Sequence, residues 1–366
     1  MLTVAIDGTA LLGVRTGVAR FVHGLLDALA EGHTLDLTAY AVTLRGRRRL
    51  EQILPRGVRA STSPLPARLV HRMWRHTGHP RIERWTEPVD VVHATNVIAP
   101  PVHRPTIVTV HDLTALRYPE MCTPDTLRYP DAIRRALDAG ARIHTTTDFI
   151  AQEVSDTFGV VFDEIARIAP GVDAHHEGDA DAGRKLAGST RYVLALGTVE
   201  PRKNMPVLVE AFDEVAASDP DVHLVVAGPD GWGVAAFDAA HAASAASDRI
   251  IRLGWITDTQ RRNLLAGAHV FAYPSVYEGF GFPPLEAMQY GVPVVAADAG
   301  ALPEVLGDAA LLVPATDAGA LADALRRVLG DADLRDSLVS AGHERVARYS
   351  WATAAESFAE LYGEMA

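Results

Sequence analysis

Short apolar runs alternate with longer amphipathic stretches along the whole chain. In the first half the strand-like runs are rich in β-branched residues, and stretches with helical periodicity separate them. The predicted strands cover residues 2–6, 89–93, 106–110 and 141–145, and predicted helices cover 19–29 and 126–139. This order of elements predicts a parallel sheet with helices on both faces.

The second half repeats the alternation more clearly. Its predicted strands cover residues 192–196, 222–227, 250–253, 269–273 and 292–296. Between the halves, residues 173–189 contain glycine and aspartate with little apolar periodicity, which favours a linker. The sequence therefore predicts an α/β protein with two Rossmann-like, doubly wound domains that face each other across a cleft. Ligands in such sheets bind at the carboxyl ends of the strands.

The segment between Glu278 and Glu286 is the most informative part of the second half. A strand-like run (270–274) precedes it, two glycines make a turn, and two prolines are placed to open a helix. A strand, a turn and a helix in this order direct backbone N–H groups to one point, where the helix N-terminus favours an anion. The two carboxylates would flank that anion and accept hydrogen bonds from hydroxyl groups. The segment therefore indicates a nucleotide-sugar site.

A second candidate site follows the predicted strand 192–196. In the loop 197–204, with the sequence Gly-Thr-Val-Glu-Pro-Arg-Lys-Asn, Arg202 and Lys203 follow the carboxyl end of that strand. Arginine makes bidentate contacts with phosphate and lysine acts as a point charge, so the pair suits a diphosphate. Such a pair in a loop is also a common surface feature. Its occurrence in the same domain as Glu278 favours the phosphate role.

Two features of the first half carry weaker signals. Gly17 opens a predicted helix and would permit close approach of the backbone to a ligand, although its surroundings lack the dinucleotide-binding fingerprint. His111 ends the predicted strand 106–110, where it could hydrogen-bond a phosphate or a sugar hydroxyl, or be an ordinary loop histidine. His93 and His144 follow similar strands without supporting neighbours and are interpreted as structural.

Composition narrows the class of protein. The chain has 366 residues, 48% of them hydrophobic, and its net charge of −12 argues against a general nucleic-acid binder. The single cysteine, Cys122, excludes an internal disulfide framework and a Cys-rich metal site, and no cluster of ligands has metal-binding spacing. No apolar run reaches the roughly 18–20 residues that span a bilayer, and the chain opens on a strand rather than a secretion signal. We therefore expect a cytoplasmic enzyme.

The charge is distributed unevenly along the chain. Residues 45–85 contain eleven arginines against two acidic residues, a net charge of about +9, so the remainder is near −21. Within this stretch, residues 68–75 interleave arginines with apolar side chains. They could lie on an anionic membrane surface, bind an anionic acceptor, or form the solvated face of an ordinary amphipathic helix. A peripheral position on the inner face of the membrane is therefore one expectation.

Three motifs together resemble family 4 glycosyltransferases, and the bacterial mannosyltransferases in particular. They are the segment 278–286, the loop 197–204 and residues 295–305. The resemblance covers essentially the whole chain and is strongest over 192–314. It implies the two-domain GT-B fold and transfer of a hexosyl group with retention of anomeric configuration. It also implies that neither a metal ion nor a cofactor takes part.

The resemblance also implies a division of labour between the domains. Residues 1–175 would form an acceptor-binding domain and residues 176–348 a nucleotide-sugar-binding domain. The last helix, within 349–366, would cross back onto the N-terminal domain. The implied donor would be a nucleoside diphosphate sugar, with GDP-mannose as the first expectation and UDP-glucose or UDP-N-acetylglucosamine next. The acceptor would be a glycan, a lipid-linked molecule or a small molecule.

Individual residues take roles from the same resemblance. Glu286 would bind the ribose hydroxyls, Glu278 would contact hydroxyls of the transferred sugar, and His111 would lie against that sugar and its phosphate. His111, Glu278, Arg202 and Lys203 would form the catalytic set. Many members carry an arginine where Thr198 stands in this chain. The implied donor site comprises Gly17, Thr198, Arg202, Lys203, Glu278, Gly279, Phe280, Gly281, Phe282 and Glu286.

Other functions on the same fold remain open at this point. A nucleotide-sugar epimerase would act without any acceptor, and a cyclitol-coupling enzyme would form a C–N bond instead of a C–O bond. A non-catalytic protein that binds sugar nucleotides is the alternative from a different functional class. The presence of Glu278, Glu286, Arg202 and Lys203 counts against it.

Overall fold

The structure is a computed structural model that describes residues 1–13, 16–173 and 177–366. The chain forms two compact units, one made of Met1–Asp173 with Tyr349–Ala366 and the other of Ala174–Arg348. Each unit is built on one parallel sheet, which confirms the predicted α/β class. Within the described ranges, no helix combines the length and the apolar character needed to cross a bilayer.

In the described part of the first unit, seven strands form one sheet in the order β3-β2-β1-β4-β5-β6-β7. They are β1 (Leu2–Asp7), β2 (Leu35–Ala41), β3 (Arg59–Thr62), β4 (Val91–Ala94), β5 (Thr106–Val110), β6 (Arg142–Thr145) and β7 (Ala166–Arg167). The strand order reverses between β1 and β4, so the sheet is doubly wound. β4 and β5 are buried along their whole length, as expected of strands with helices on both faces.

The described α-helices within residues 1–173 of the first unit are α1 (Gly17–Gly32), α2 (Arg47–Ile53), α3 (Ala67–Thr77), α4 (Thr114–Arg117), α5 (Tyr129–Asp138) and α6 (Asp148–Phe158). The hydroxyl of Thr16 accepts a hydrogen bond from the Ala19 N–H at 3.3 Å and so caps α1. Thr147 caps α6 in the same way, at 3.3 Å from the Ile150 N–H. The second cap fixes the first turn of α6 just after the carboxyl end of β6, which ends at Thr145.

The described second unit repeats this design with six strands in the order β10-β9-β8-β11-β12-β13. Its strands are β8 (Tyr192–Leu196), β9 (His223–Ala227), β10 (Ile250–Gly254), β11 (Val270–Tyr273), β12 (Val294–Ala297) and β13 (Ala310–Val313). Its helices are α7 (Ala180–Ala187), α8 (Met205–Ser218), α9 (Val234–Ala243), α10 (Asp258–Gly267), α11 (Phe282–Gln289), α12 (Leu302–Leu306), α13 (Ala318–Gly330) and α14 (Ala332–Val346). The strand order reverses between β8 and β11, and a ligand-binding crevice is expected there.

The prediction of a linker over residues 173–189 is wrong for its second part, because α7 (Ala180–Ala187) occupies it. Residues 174–176 of the predicted linker lie outside the described residues. The carboxylate of Asp179 caps this helix by accepting two backbone N–H groups, both at 3.0 Å. A Cβ on Gly183 would lie 2.0 Å from the carbonyl oxygen of Asn263 in α10. The buried residues of α7 are the small residues Gly183 and Ala187, which allow this close contact with α10. Such small residues give no strong apolar periodicity, so the sequence pattern does not reveal the helix.

The last helix, α15 (Trp351–Met365), belongs to the first unit and packs against α1. Gly24 of α1 makes room for it, since a Cβ there would lie 2.1 Å from the ring of Trp351. The indole N–H of Trp351 donates to Asp173 at 3.0 Å. The start of the helix is thus tied to the place where the chain leaves the first unit.

A buried chain of hydrogen bonds connects α15 to the sheet. The Tyr362 hydroxyl lies 2.7 Å from Nδ1 of His93, and Nε2 of His93 lies 2.8 Å from the Thr109 hydroxyl. That hydroxyl lies 3.0 Å from Nδ1 of His144, whose Nε2 lies 3.0 Å from the carbonyl oxygen of Ile168. A carbonyl can only accept, so Nε2 of His144 carries the proton and Nδ1 accepts. His93 and His144 are therefore core residues, in agreement with the structural role expected from the sequence.

Candidate functional site

Two loops of the second unit form one site at the carboxyl ends of β8 and β11, which are neighbours in the sheet. The loop after β8 ends in a 3₁₀ turn at Pro201–Lys203. The N–H of Val276 donates to the carbonyl oxygen of Arg202 at 2.9 Å, and the Arg202 guanidinium donates to the carbonyl oxygen of Tyr277 at 2.9 Å. The backbone itself thus joins the two segments that the sequence analysis singled out.

The carboxylate of Glu278 lies between the two cations of the other loop. One of its oxygens is 2.5 Å from Nη1 of Arg202, and the other is 2.5 Å from Nζ of Lys203. The hydroxyl of Tyr273, at the end of β11, donates to the same carboxylate at 2.9 Å and accepts from Lys203 at 2.7 Å. Arg202 also pairs with Glu200 at 2.7 Å. Only 9–10% of the Lys203 and Glu278 side chains is exposed.

These contacts determine the charges in the site. Burial alone would raise the pKa of Glu278, but Arg202 and Lys203 outweigh burial and hold that pKa at about 2. Burial lowers the pKa of Lys203, and the neighbouring Glu278 opposes that shift. Burial also raises the pKa of Tyr273 well above its ordinary value. At neutral pH the site therefore holds a carboxylate that shares two cations, and an incoming anion would compete with it.

The turn after Glu278 leads directly into α11. Gly281 has φ 99°, a backbone conformation that L-residues with a side chain rarely adopt, so this turn favours glycine. Gly279 and Phe280 are buried in this turn, and Phe280 packs edge-on against Phe282 at 5.0 Å between ring centroids. The first turn of α11 contains prolines, as predicted from the sequence. The helix N-terminus thus lies beside the charged cluster.

Glu286 lies one turn into α11 and is buried. Its carboxylate forms an ion pair with Arg261, which comes from α10. The carboxylate predicted to bind ribose hydroxyls therefore has a cationic partner in this structure.

Residues 295–305 support the backbone of Glu278. Gly300 has φ 58°, and a Cβ there would lie 2.6 Å from both the N and the O of Glu278. The N–H of Ala301 donates to the Glu278 carbonyl oxygen at 2.8 Å. This third motif thus contributes to the site by close backbone packing. Among the described residues, no group of three or more His, Cys, Asp or Glu side chains is arranged to hold a metal ion.

Gly17 and His111 belong to the first unit, whereas Thr198 and the remaining predicted site residues belong to the second. Gly17 is the exposed first residue of α1. His111 follows β5, and its Nε2 donates to the carbonyl oxygen of Thr95 at 2.8 Å. Burial lowers the pKa of His111, so its neutral form predominates at pH 7 with Nδ1 as the acceptor. The ring of Phe21 packs edge-on against it at 5.1 Å.

Comparison with known proteins decides the family. Residues 15–176 match the family model for Glycosyltransferase Family 4, and residues 179–345 match that for Glycosyl transferases group 1. O-antigen chain mannosyltransferase B of Escherichia coli is 31% identical over 287 residues, which are 75% of this chain and 74% of that protein. The chain belongs to glycosyltransferase family 4.

This glycosyltransferase is also similar to a second mannosyltransferase in sequence and to a solved structure in fold. Phosphatidyl-myo-inositol mannosyltransferase of Mycobacterium leprae (strain TN) is 38% identical over 192 residues, 50% of this chain and 49% of that protein. Anabaena Alr3699/HepE, crystallised with UDP and glucose, superposes with a TM-score of 0.75 and 20% identity, and the match covers 100% of both chains. The predicted GT-B fold class is confirmed.

Three residues of this candidate site were not predicted from the sequence to belong to it. Tyr273 and Glu200 contact the charged cluster, and Arg261 contacts Glu286. Tyr273 ends a strand next to the Glu278 turn and Glu200 stands in the loop before Arg202, so position along the chain could have indicated both. Arg261 lies in the middle of a polar helix, and its sequence carries no comparable signal.

Proposed function

We propose that this glycosyltransferase moves a hexosyl group, mannosyl by first preference, from a nucleoside diphosphate sugar to an acceptor hydroxyl. Retention of anomeric configuration is part of the proposal. The observation that supports it best is the cluster formed by the buried Lys203 and Glu278 with the half-buried Arg202, next to the turn that leads into α11. Fixed cations and helix N–H groups stabilise the negative charge that develops on a departing diphosphate. With two protein cations in that role, the proposed reaction requires no metal ion.

Donor binding would rearrange the contacts of the cluster. The diphosphate takes hydrogen bonds from Arg202, Lys203 and the N–H groups of Gly281 and Phe282, because the two prolines that follow have no N–H. Glu278 is then available to accept from hydroxyls of the sugar. Glu286 exchanges Arg261 for the ribose hydroxyls. In the same proposal, His111 contacts the sugar and Gly17 contacts the phosphates.

The proposed chemistry needs no covalent intermediate on the protein. The bond between the anomeric carbon and the phosphate oxygen breaks while the acceptor oxygen approaches from the same face. The departing phosphate oxygen receives the acceptor's proton. The chain's part is to position the reactants and to stabilise the leaving group.

The relatives guide the choice of donor. Both curated relatives described above are named mannosyltransferases, which supports a mannosyl donor. The structure crystallised with UDP and glucose makes UDP-sugars the necessary comparison.

Turnover with defined donors tests the proposal. The protein is incubated with GDP-mannose, UDP-glucose or UDP-N-acetylglucosamine, with and without a bacterial glycan or lipid fraction as acceptor. We expect nucleotide release from GDP-mannose that depends on the acceptor, and a product whose anomeric proton shows retained configuration by NMR. Conversion of the sugar nucleotide without acceptor would identify an epimerase, and no conversion of any donor would contradict a transferase role.

Peripheral contact with an anionic membrane is the second part of the proposal. The exposed residues of α3 include Arg68, Arg72 and Arg75 together with the apolar Leu69, which is 45% exposed. A basic face with an apolar residue on it suits anionic headgroups. We expect co-sedimentation with phosphatidylglycerol vesicles, and loss of binding in salt of about 0.5 M because surface charges are then screened. Equal binding to phosphatidylcholine vesicles would contradict this contact.

A further inference from the structure

The carboxylate of Glu278 contacts both of the cations that the proposed function assigns to the diphosphate. One of its oxygens lies 2.5 Å from the Arg202 guanidinium and the other 2.5 Å from the Lys203 ammonium group. Glu200 pairs with Arg202 at 2.7 Å, so two carboxylates balance the two positive charges of this cluster. A diphosphate therefore gains the full attraction of the cations after Glu278 has moved away from them.

Other contacts hold both cations in place without the help of Glu278. The Arg202 guanidinium donates to the carbonyl oxygen of Tyr277 at 2.9 Å, and the Lys203 ammonium group donates to the Tyr273 hydroxyl at 2.7 Å. Neither of these partners carries a charge that phosphate would have to displace. The two cations are thus oriented for an anion whether or not Glu278 contacts them.

The backbone around the cluster is fixed as well. Asn204 has φ 55°, and its side-chain amide donates to the carbonyl oxygen of Pro274 at 3.3 Å and to that of Ala315 at 2.7 Å. These two carbonyls belong to the loops that follow β11 and β13, so the loop that carries the cations is tied to both. Residues 295–305 hold the backbone of Glu278 in the same way. The part of Glu278 that can change partners is therefore its side chain.

A sugar supplies the new partners that the Glu278 side chain needs. The pKa of Glu278 is held at about 2, so it stays charged at neutral pH, and a buried carboxylate needs hydrogen-bond donors wherever it lies. The hydroxyls of a transferred sugar can replace the cations as donors. A free nucleoside diphosphate has no sugar next to its terminal phosphate, so it offers Glu278 no such replacement.

We propose that Glu278 makes the site select the sugar nucleotide over the free nucleoside diphosphate. The sugar hydroxyls draw its carboxylate away from Arg202 and Lys203 when the donor binds. After the sugar has been transferred, the carboxylate returns to the two cations and favours release of the nucleoside diphosphate. This inference rests on the proposed function, since it takes Arg202 and Lys203 as the ligands of the diphosphate.

Calorimetry on the wild type and Glu278→Gln tests the inference. The variant keeps the shape of the side chain and removes its charge. GDP, GDP-mannose and inorganic pyrophosphate are titrated separately, with UDP and UDP-glucose measured alongside. We expect GDP and pyrophosphate to bind about three- to tenfold more tightly to Glu278→Gln, because the competing carboxylate is gone. GDP-mannose should gain no affinity, because its sugar loses a charged hydrogen-bond acceptor, so the preference for GDP-mannose over GDP falls.

Two further variants make the result specific. Glu210→Gln removes the same charge from an exposed position of α8 in the same unit and should leave every affinity unchanged. Glu278→Asp keeps the charge on a side chain that is one bond shorter, so the carboxylate can no longer contact both cations closely. Its affinity for pyrophosphate should lie between those of the wild type and Glu278→Gln, and this variant decides the question if Glu278→Gln does not fold.

Unchanged or weaker binding of GDP and pyrophosphate in the folded Glu278 variants would overturn the inference. The ion pairs would then serve to hold the two loops together. Binding that Lys203→Ala weakens and Glu278→Gln leaves unchanged would overturn this inference alone. If the wild type and Glu278→Gln bind neither nucleotide nor pyrophosphate, the donor-site proposal itself fails.

Discussion

Lys203 is one of two lysines in the chain, and it is buried beside a buried carboxylate. Each charge alone would be costly to bury, and removal of one partner from such a pair typically costs about 3–5 kcal/mol. Position along the chain indicated Lys203 as a phosphate ligand. It could not indicate that Glu278, 75 residues away, binds the same ammonium group, because that contact depends on β8 and β11 being neighbours.

Substitution of Glu286 tests the proposed ribose contact. Glu286→Gln keeps the shape of the side chain but removes the charge that accepts hydrogen bonds from two hydroxyls. We expect the affinity for the nucleoside diphosphate sugar to fall about 10- to 100-fold, as measured by calorimetry, because hydrogen bonds to charged groups are the strong ones. Glu304→Gln, at an exposed residue of α12, serves as the matched control. Equal affinities in the two variants would exclude Glu286 from the donor site.

The buried histidine His144 makes the first unit sensitive to acid. Burial lowers its pKa from 6.5 to about 3, so below pH 6.5 the unfolded chain binds a proton that the folded chain does not. Stability is therefore lost as the pH falls from about 6.5 towards 3, by up to ~1.4 kcal/mol per pH unit for this residue.

Urea unfolding between pH 7 and pH 4 measures this effect. We expect His144→Asn to have a shallower pH dependence than the wild type, whatever its absolute stability. His103→Asn, at an exposed histidine of the same unit, should keep the wild-type slope. A slope in His144→Asn as steep as that of the wild type would mean that His144 is not kept neutral by burial.

At the level of elements, the contact between α1 and α15 depends on a single glycine. Gly24→Ala places a Cβ against the Trp351 ring, and we expect a loss of about 1–3 kcal/mol from overpacking. Gly32→Ala, at the end of the same helix, has Thr34 Oγ1 at 3.9 Å as its nearest neighbour and should be neutral or slightly stabilising.

Thermal unfolding and amide hydrogen exchange of α15 measure both variants. Faster exchange in α15 is expected for Gly24→Ala, with wild-type exchange for Gly32→Ala. If Gly24→Ala melted and exchanged as the wild type does, the close packing of these two helices would be incorrect.

The sequence predicted the buried central strands best. β5 and β8 have the predicted bounds, because both are buried along their whole length and a strand with helices on both faces of its sheet shows a continuous run of mostly apolar residues. The predicted strands do not include β2, β3, β7 or β13. β3 is polar and only partly buried, and β7 has two residues, so neither carries a hydrophobic signal. Such strands are specified by their neighbours in the sheet.

At the scale of the whole molecule, the two doubly wound sheets followed from the order of predicted strands and helices. The amphipathic pattern of α15 is compatible with packing on either unit, so this pattern alone could not predict that α15 belongs to the first unit. It depends on contacts such as Trp351 with Gly24 and Tyr362 with His93, between residues far apart in the sequence. The implied roles of the two domains, acceptor binding and donor binding, remain predictions.

The affinity for GDP-mannose, measured by calorimetry on the wild type, Lys203→Ala and Lys185→Ala, tests the central claim most directly. The two variants remove the only lysines of the chain one at a time, and Lys185 is exposed on α7. We expect wild-type affinity in Lys185→Ala and a loss of about 10- to 100-fold in Lys203→Ala, since one charged phosphate contact is removed. Wild-type affinity in a folded Lys203→Ala protein would contradict the proposed donor site.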